Sequence, residues 1–354
     1  MRKLNFSSGP AVLPEPVLRR AQEAVWDLDG SGIGILEHSH RGPDFAKVLD
    51  RAEANVRAVG GIGDDYAVLF MTQTATHHFA TVPQAFLRAG ETADYCHNGA
   101  WSGKAIEDAR RYGTVHVACT AEPDFTRTPS DFAWSAGPRY VHYTSNETIY
   151  GTAWSAPPPA PAPLVCDASS DIFSRPLPLA NHALIYAGAQ KNLGPSGISL
   201  AIVSREWLET ERTDLPALFR YSTWAKERSL HNTPNTFGIF MIGEVCAWIL
   251  AEGGLAAMAE RNARKAAALY AFLDGSSLWR AHAAPGSRSN MNVTFRGATA
   301  EHEDRFLALA ESRGMSGLRG HRSVGGVRAS IYNAFPEAGV HALVELLAEY
   351  ERSA

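Results

Sequence analysis

The sequence predicts an α/β protein in which a mostly parallel sheet of seven strands is followed by a smaller α+β region. Seven short apolar runs between residues 67 and 203 are typical of strands buried on both faces. Helical patterns separate several of these runs, and strands interleaved with helices favour a parallel sheet. After about residue 237 the pattern changes to long helices with two further strand-like runs. This change predicts a smaller unit towards the C-terminus.

Periodicity, together with glycine and proline punctuation, predicts the individual elements. The predicted strands of the large sheet are 67–71, 93–96, 115–119, 140–143, 164–166, 184–187 and 200–203. The predicted helices of this part are 14–28, 45–59, 77–87, 102–112 and 237–251. The rest is predicted as helix 255–273, strand 291–295, helix 301–313, strand 327–331 and helix 340–352. We therefore expect a large domain over 14–257 and a small domain made of 1–13 and 258–354.

The composition is that of an ordinary globular protein, with 45% hydrophobic and 20% charged residues. The net charge of −4 and the scattered basic residues argue against a nucleic-acid or membrane partner. Widely spaced cysteines predict buried free thiols in a reducing compartment; they are Cys96, Cys119, Cys166 and Cys246. The first residues do not resemble a signal peptide, and we expect a cytoplasmic protein. The proline-rich segment 156–163 is predicted to be an extended surface loop.

Lys191 is the strongest candidate for chemistry, because it follows the predicted strand 184–187 and precedes a turn rich in glycine and proline. Asp167 ends another apolar run. A lysine amine forms a Schiff base with pyridoxal 5′-phosphate (PLP), and a carboxylate keeps the pyridine nitrogen protonated so that the ring acts as an electron sink. A lone lysine at a strand end is more often a surface residue. The pairing with Asp167 favours the PLP interpretation.

Three further segments are candidates for a ligand site. The turn 72–78 joins a strand to a helix, where N–H groups and hydroxyls either bind a phosphate or simply cap the helix. Trp101 begins another helix and either stacks on a flat ring or packs in the core. The polar turn 145–151 follows a strand, at the sheet edge where ligands bind.

Histidine and arginine are concentrated in segments 38–41 and 320–322 and at Arg328. The planar guanidinium group suits carboxylate and phosphate, so these clusters indicate a substrate with more than one anionic group. A single arginine of this kind is more often part of a surface ion pair. The histidine spacing fits no metal motif, and we expect no metal.

Several motifs together resemble those of the phosphoserine aminotransferase family, which has the fold-type I architecture of PLP enzymes. They are Asn-Phe-Ser-Ser-Gly-Pro-Ala at 5–11, Ser-His-Arg-Gly at 39–42, Tyr-Ala-Gly-Ala-Gln-Lys-Asn at 186–192, Asn-Thr-Pro-Asn-Thr-Phe at 232–237 and the segment 320–333. The resemblance covers nearly the whole chain. It implies a PLP cofactor and a homodimer with shared active sites.

The resemblance also implies a role for each matched residue. Lys191 would form the Schiff base and move a proton, and Asp167 would pair with the pyridine nitrogen. The other cofactor contacts would be Ala75, Thr76, Trp101, Thr148, Ser169 and Gln190, with Asn232 and Thr233 from the partner subunit. The substrate would be held by Ser8, His40, Arg41, His321, Arg322 and Arg328, of which Arg328 would bind the α-carboxylate.

The implied reaction is transamination between 3-phosphoserine and 2-oxoglutarate, in serine synthesis and in a related step of vitamin B6 synthesis. The chain differs from the family pattern at five positions that we expect close to the site: Gln73, Thr74, His78, Tyr150 and Asn290. A divergent paralogue that transaminates another acidic or small amino acid is therefore an alternative. A non-catalytic PLP-fold binding protein is a further alternative, which the pair Lys191 and Asp167 disfavours.

Overall fold

A seven-stranded sheet forms the centre of the computed structural model, which describes residues 2–353. The strands are β1 (Leu4–Asn5), β2 (Tyr66–Met71), β3 (Thr92–His97), β4 (Thr114–Thr120), β5 (Val141–Thr144), β6 (Asn146–Glu147), β7 (Thr152–Ala153), β8 (Leu164–Asp167), β9 (His182–Gly188), β10 (Ser199–Ser204), β11 (Trp279–Ala281), β12 (Asn292–Gly297), β13 (Met315–Ser316) and β14 (Val327–Ser330). The helices are α1 (Glu15–Trp26), α2 (Pro43–Gly60), α3 (Ala75–Phe86), α4 (Ala100–Ala109), α5 (Arg205–Leu208), α6 (Tyr221–Lys226), α7 (Thr236–Ala251), α8 (Gly254–Gly275), α9 (Ala300–Ser312) and α10 (Glu337–Ser353).

The large sheet has the strand order β2-β10-β9-β8-β5-β3-β4, and β10 alone runs antiparallel to its neighbours. The predicted mostly parallel sheet of seven strands is confirmed. Because β10 is antiparallel to both β2 and β9, those two strands run in the same direction. The carboxyl ends of β2, β3, β5, β8 and β9 therefore lie along one edge, which is where ligands bind in open α/β sheets.

Both faces of this sheet are covered by helices, and β9 shows why. Its residues Ile185 and Ala187 join the apolar cluster that contains side chains of α2 and α7. Leu184 and Tyr186 join the cluster that contains side chains of α3 and α4. Successive side chains of a strand point to opposite faces, so a strand covered on both sides must be apolar throughout.

A smaller antiparallel sheet, ordered β11-β12-β14, forms the C-terminal region. Side chains from α8, α9 and α10 pack around it in an apolar cluster that also includes Phe6. The N-terminal residues reach this region because β1 pairs with β13. The predicted domain boundary near residue 258 falls inside α8 and stays a prediction.

The four cysteines are buried free thiols, as the sequence predicted. The segment 156–163 contains no helix or strand and leads into β8. Within residues 2–353, no helix taken singly has the length and apolar character needed to cross a bilayer. Only α7 and α8 taken together reach that threshold, and they meet at a bend of 83°.

Candidate active site

The carboxyl edge of the large sheet brings the predicted chemical groups into one cavity. Asp167 is the last residue of β8, and Lys191 follows the end of β9. Trp101 lies in the first turn of α4, directly after β3. The cavity is lined by Ser8, Gly9, Thr74, Ala75, Thr76, Trp101, Thr148, Ile149, Asp167, Ser169, Gln190, Lys191, His321 and Arg328. Because parallel strands end at the same edge of the sheet, they place residues that are far apart in the sequence around a common space.

The amine of Lys191 points into this cavity. Its Nζ atom donates a hydrogen bond of 2.9 Å to Thr148 Oγ1 and lies 5.4 Å from the centre of the Trp101 ring. Burial lowers the pKa of Lys191, while the negative charges of Asp167 and Glu147 partly oppose that shift. A lowered pKa increases the fraction of neutral amine, which is the form that acts as a nucleophile or a base.

Asp167 is held in place by Ser169. The Ser169 hydroxyl donates to Asp167 Oδ1 at 2.6 Å, and the Ser169 backbone N–H donates to the same oxygen at 3.0 Å. The backbone N–H of Gly188 in turn donates to Ser169 Oγ at 3.0 Å, which ties the end of β8 to the end of β9. Burial raises the pKa of Asp167, and these hydrogen bonds together with Lys191 oppose the rise. The carboxyl group is therefore fixed in position and sensitive to a nearby cation.

The N-terminus of α3 faces the same cavity beside Gln190. A β-carbon added at Gly188 would lie 2.8 Å from Gln190 Oε1 and 3.4 Å from the Ala75 backbone nitrogen, so a side chain there would displace the Gln190 amide. The first N–H groups of a helix have no acceptor within it, and together with the helix dipole they favour an anion. Ala75 and Thr76 are placed to offer such groups to a phosphate.

Arg328 enters the cavity from β14. Its Nη2 atom donates to Ser8 Oγ at 2.8 Å, and its Nη1 atom donates to the Thr148 carbonyl oxygen at 3.5 Å. The Tyr332 hydroxyl donates to the Ser8 carbonyl oxygen at 2.7 Å, so Ser8 is held from both sides. Arg328 is buried, with 8% of its surface exposed, and this burial lowers its pKa. His321 lines the cavity near this arginine.

Three buried polar atoms of cavity-lining residues find no hydrogen-bond partner within residues 2–353: Trp101 Nε1, Gln190 Oε1 and Arg328 Nε. Buried polar groups are normally paired, so unpaired ones around a cavity indicate a polar ligand. An amine, a carboxylate, a flat ring and a helix N-terminus are the groups that PLP needs for its aldehyde, ring nitrogen, ring face and phosphate. The residues present therefore fit this cofactor.

Comparison with known proteins agrees with this geometry. The sequence profile of the class-V aminotransferases matches residues 3–343. A curated phosphoserine aminotransferase of Herpetosiphon aurantiacus is 48% identical over 355 residues, covering 99% of both chains. The chain belongs to the class-V aminotransferase family. Among solved structures, phosphoserine aminotransferase from Bacillus circulans subsp. alkalophilus is 43% identical with a TM-score of 0.97 over 99% of both chains.

A structure of PLP-bound phosphoserine aminotransferase from Trichomonas vaginalis is also similar, with 32% identity and a TM-score of 0.94 over 98% of this chain and 100% of that one. The predicted family, the fold-type I architecture and the PLP cofactor are confirmed. This aminotransferase is thus an enzyme of the phosphoserine aminotransferase group, and the roles of its individual residues remain predictions.

Five of the predicted site residues do not line the cavity of their own chain: His40, Arg41, Asn232, Thr233 and Arg322. Arg41, Asn232, Thr233 and Arg322 are exposed, and His40 is half-buried. The remaining predicted residues of the site do line it.

Of the five departures from the family pattern that were expected close to the site, four do not line the cavity: Gln73, His78, Tyr150 and Asn290. His78 is fully buried, and its ring nitrogens bond to the Tyr221 hydroxyl at 2.7 Å and Ser199 Oγ at 2.9 Å. Tyr150 packs against other aromatic rings, and Asn290 is exposed beside a different cavity. Thr74 lines the cavity, and Gln73 is buried just before it.

Two buried charged residues, Glu147 and Lys265, were not predicted from the sequence to have a role. Glu147 accepts hydrogen bonds from the backbone N–H groups of Trp101 and Ile149. Its position within the polar turn 145–151 was the sequence feature that could have identified it. Lys265 donates to the carbonyl oxygens of Ile331, Tyr332 and Phe335 at 2.8, 2.7 and 3.2 Å. Lys265 lies in a helix of mixed composition, where a lysine normally faces water, so no pattern marked it.

Proposed function

We propose that this enzyme transfers the amino group of 3-phosphoserine to 2-oxoglutarate, in two half-reactions that use one cavity in turn. The observation that carries the proposal is the meeting of Lys191, Asp167 and Arg328 in one cavity of a chain 48% identical to a phosphoserine aminotransferase. Four of the five departures from the family pattern, Gln73, His78, Tyr150 and Asn290, do not line that cavity, so they give no support to a paralogue with another donor. Serine synthesis is the pathway that this reaction serves.

In this proposal Lys191 is the proton carrier. Bound PLP supplies an electron sink for the electron pair left at the substrate α-carbon. Burial lowers the pKa of Lys191, so Nζ is available to take the α-proton and to deliver it to the other carbon of the 1,3-shift. Thr148 Oγ1, at 2.9 Å, orients the amine. Asp167, fixed by Ser169, would hold the proton on the ring nitrogen.

The cationic groups are proposed to bind the two ends of the substrate. Arg328 already bonds to Ser8 at 2.8 Å and would hold the α-carboxylate in a two-pronged contact. His321 and Arg322, with His40 and Arg41, would receive the distal phosphate of phosphoserine or the distal carboxylate of glutamate. Both amino acids carry an anionic group at the distal end, so one cationic pocket serves both half-reactions.

We further propose a homodimer in which each copy completes the site of the other. Asn232 and Thr233 match cofactor-binding positions of the family but are exposed, away from the cavity of their own chain. Exposed apolar side chains lie just before the His40–Arg41 segment, with Trp26 87% and Leu36 60% exposed. A second copy packed on this region would bury these apolar side chains. It would also bring its own Asn232 and Thr233 to the cavity of the first copy.

Mixed dimers test the shared site. Lys191→Ala and the double variant Asn232→Ala/Thr233→Ala should each be nearly inactive alone, because every site lacks a required group. A dimer with one copy of each contains one site with neither change, so activity should return when the two proteins exchange subunits. If the mixtures stay as inactive as the separate variants, the proposal that the two subunits share each active site is contradicted.

We also propose that the enzyme works in the cytoplasm. Its cysteines are buried free thiols, even though Cys96 and Cys119 are paired in register across β3 and β4. Free thiols so close together fit a reducing compartment.

An amino-donor comparison tests the proposed substrate. The PLP-loaded enzyme is mixed with one amino acid at a time, and the rate of the cofactor absorbance change is recorded in a single turnover. O-phosphoserine should react at least about 100-fold faster than alanine or serine, because these leave the cations of the distal pocket unpaired. It should also react faster than aspartate, whose carboxylate lies closer to the α-carbon and does not reach that pocket. Equal or reversed rates would favour the paralogue.

A further inference from the structure

Glu147 is a buried carboxylate that bonds to two residues lining the active site, Trp101 and Ile149, and the proposed mechanism does not use it. It ends β6 and is 0% exposed. Its Oε2 atom accepts a hydrogen bond of 3.0 Å from the Trp101 backbone N–H, and its Oε1 atom accepts one of 3.2 Å from the Ile149 backbone N–H. One side chain therefore joins the first turn of α4, which carries the Trp101 ring, to the turn that carries Thr148.

The fit between Glu147 and α4 is close. A β-carbon added at Gly99 would lie 2.4 Å from both Cγ and Oε2 of Glu147. The Gly99 φ angle is 161°, an extended conformation that any residue adopts, so space rather than backbone conformation requires glycine here. Gly99 directly precedes α4, and the early N–H groups of a helix need acceptors from outside it. Glu147 supplies one of these acceptors.

We propose that Glu147 is a positioning residue for the transamination: it fixes the Trp101 ring and Thr148 around Lys191 and directs a negative charge towards the Lys191 amine. The distances from Lys191 Nζ to these groups are 2.9 Å to Thr148 Oγ1 and 5.4 Å to the Trp101 ring centre. This inference rests on the proposed function, because Lys191 must carry the cofactor for its surroundings to matter.

The charges around Glu147 determine what its removal does. The charged or titratable groups that act on it are Lys191, Asp167, Arg328 and Tyr150. Burial raises the pKa of Glu147 to about 7, and the two backbone N–H groups and Lys191 oppose the rise. In return, its negative charge raises the pKa of Lys191. Loss of this charge should therefore lower the pH at which a cation at Lys191 Nζ gives up its proton.

Glu211 provides a matched control elsewhere in the same chain. It is 5% exposed and also accepts two backbone N–H groups, those of Tyr221 and Ser222, at the start of α6. Burial raises the pKa of Glu211, as it does for Glu147. The partners of Glu147 line the cavity, whereas Tyr221 and Ser222 do not. A change at Glu211 therefore tests the loss of a helix-capping carboxylate alone.

The experiment compares Glu147→Gln, Glu147→Asp and Glu211→Gln in the full PLP-loaded protein. The pH midpoint of the cofactor absorbance change reports the charge at Lys191, and visible circular dichroism reports how firmly the ring is held. Glu147→Gln should lower the midpoint by on the order of one pH unit and weaken the dichroism. Glu147→Asp keeps the charge but has a shorter reach, so it should restore the midpoint and leave the dichroism weak. Glu211→Gln should change neither.

The proposal is overturned if Glu147→Gln keeps the wild-type midpoint and dichroism while losing thermal stability as Glu211→Gln does. If Glu147→Gln does not fold, wild-type dichroism in Glu147→Asp overturns it equally. Wild-type protein that takes up no PLP would instead contradict the proposed function, so the two failures are distinguishable.

Discussion

Two buried lysines of this enzyme differ in how many of their hydrogen-bond donors are used. An ammonium group has three N–H donors. Lys265, on α8, is 1% exposed and donates to three carbonyl oxygens of the segment that follows β14. Within the part of the chain that the structure describes, Lys191 donates one hydrogen bond, to Thr148. Lys265 is thus saturated, whereas Lys191 has donors left for a ligand.

A lowered pKa does not separate the two residues. Burial lowers the pKa of Lys191, and it lowers that of Lys265 to about 7. The surroundings do separate them, since Lys191 faces a cavity and the carboxylates of Asp167 and Glu147, whereas Lys265 is enclosed by backbone. The comparison teaches that a lowered pKa reports burial, while reactivity also requires free donors and space for a substrate.

The largest effect is expected for Lys191→Ala. The proposed proton carrier is lost, so single-turnover transamination should fall by more than about 1,000-fold, while urea unfolding changes little. Lys104→Ala is the control, because Lys104 Nζ also lies over the Trp101 ring, at 4.6 Å, but is exposed. Full activity in the Lys191 variant would contradict its assigned role.

Lys265→Met should show the opposite pattern. It keeps the apolar stem but leaves three buried carbonyl groups without their donor, so the free energy of unfolding should fall by about 3 kcal/mol. The folded variant should still attach PLP to Lys191. Lys47→Met is the control, since Lys47 forms only an exposed pair with Asp44. Equal stability of the two variants in urea unfolding would show that the three bonds contribute nothing.

A smaller effect is expected for His78→Gln. Burial lowers the pKa of His78 to about 3, below the ordinary value of 6.5. Below about pH 6.5 the His78 imidazole therefore binds a proton in the unfolded chain but not in the folded chain. The free energy of unfolding falls as the pH drops. Between pH 7 and pH 5 this residue should account for about 2 kcal/mol of the loss. Urea unfolding at both pH values should show a loss smaller by that amount in the variant; an unchanged loss would mean that His78 accepts a proton when folded.

Much of this fold was predictable, because β8 and β9 are buried on both faces and therefore appear as continuous apolar runs. The positions of Asp167 and Lys191 after those strands followed from the same pattern. Strands of two residues, such as β6 and β7, were not predictable, since they are too short to show an alternation of apolar and polar residues. The direction of β10 was also unavailable, because parallel and antiparallel strands in a buried sheet have the same composition.

Site residues were predictable where the reaction needs their side-chain type. They were not predictable where the side chain only forms hydrogen bonds with backbone groups. Lys191 and Arg328 were found because amines and guanidinium groups are needed for this chemistry. Glu147 and Lys265 were missed because their partners are backbone N–H and carbonyl groups, which every residue has. The burial of His78 was not predictable, because the sequence does not show which face of α3 it occupies.

Borohydride reduction of the PLP-loaded enzyme, followed by peptide mass spectrometry, tests the central claim most directly. Reduction makes the bond between the cofactor and its lysine permanent, so the labelled peptide identifies the residue. The account predicts that the label lies on Lys191 alone and that Lys191→Ala protein carries none, while Lys265 stays unmodified. Label on another lysine, or none on the wild-type protein, would contradict it.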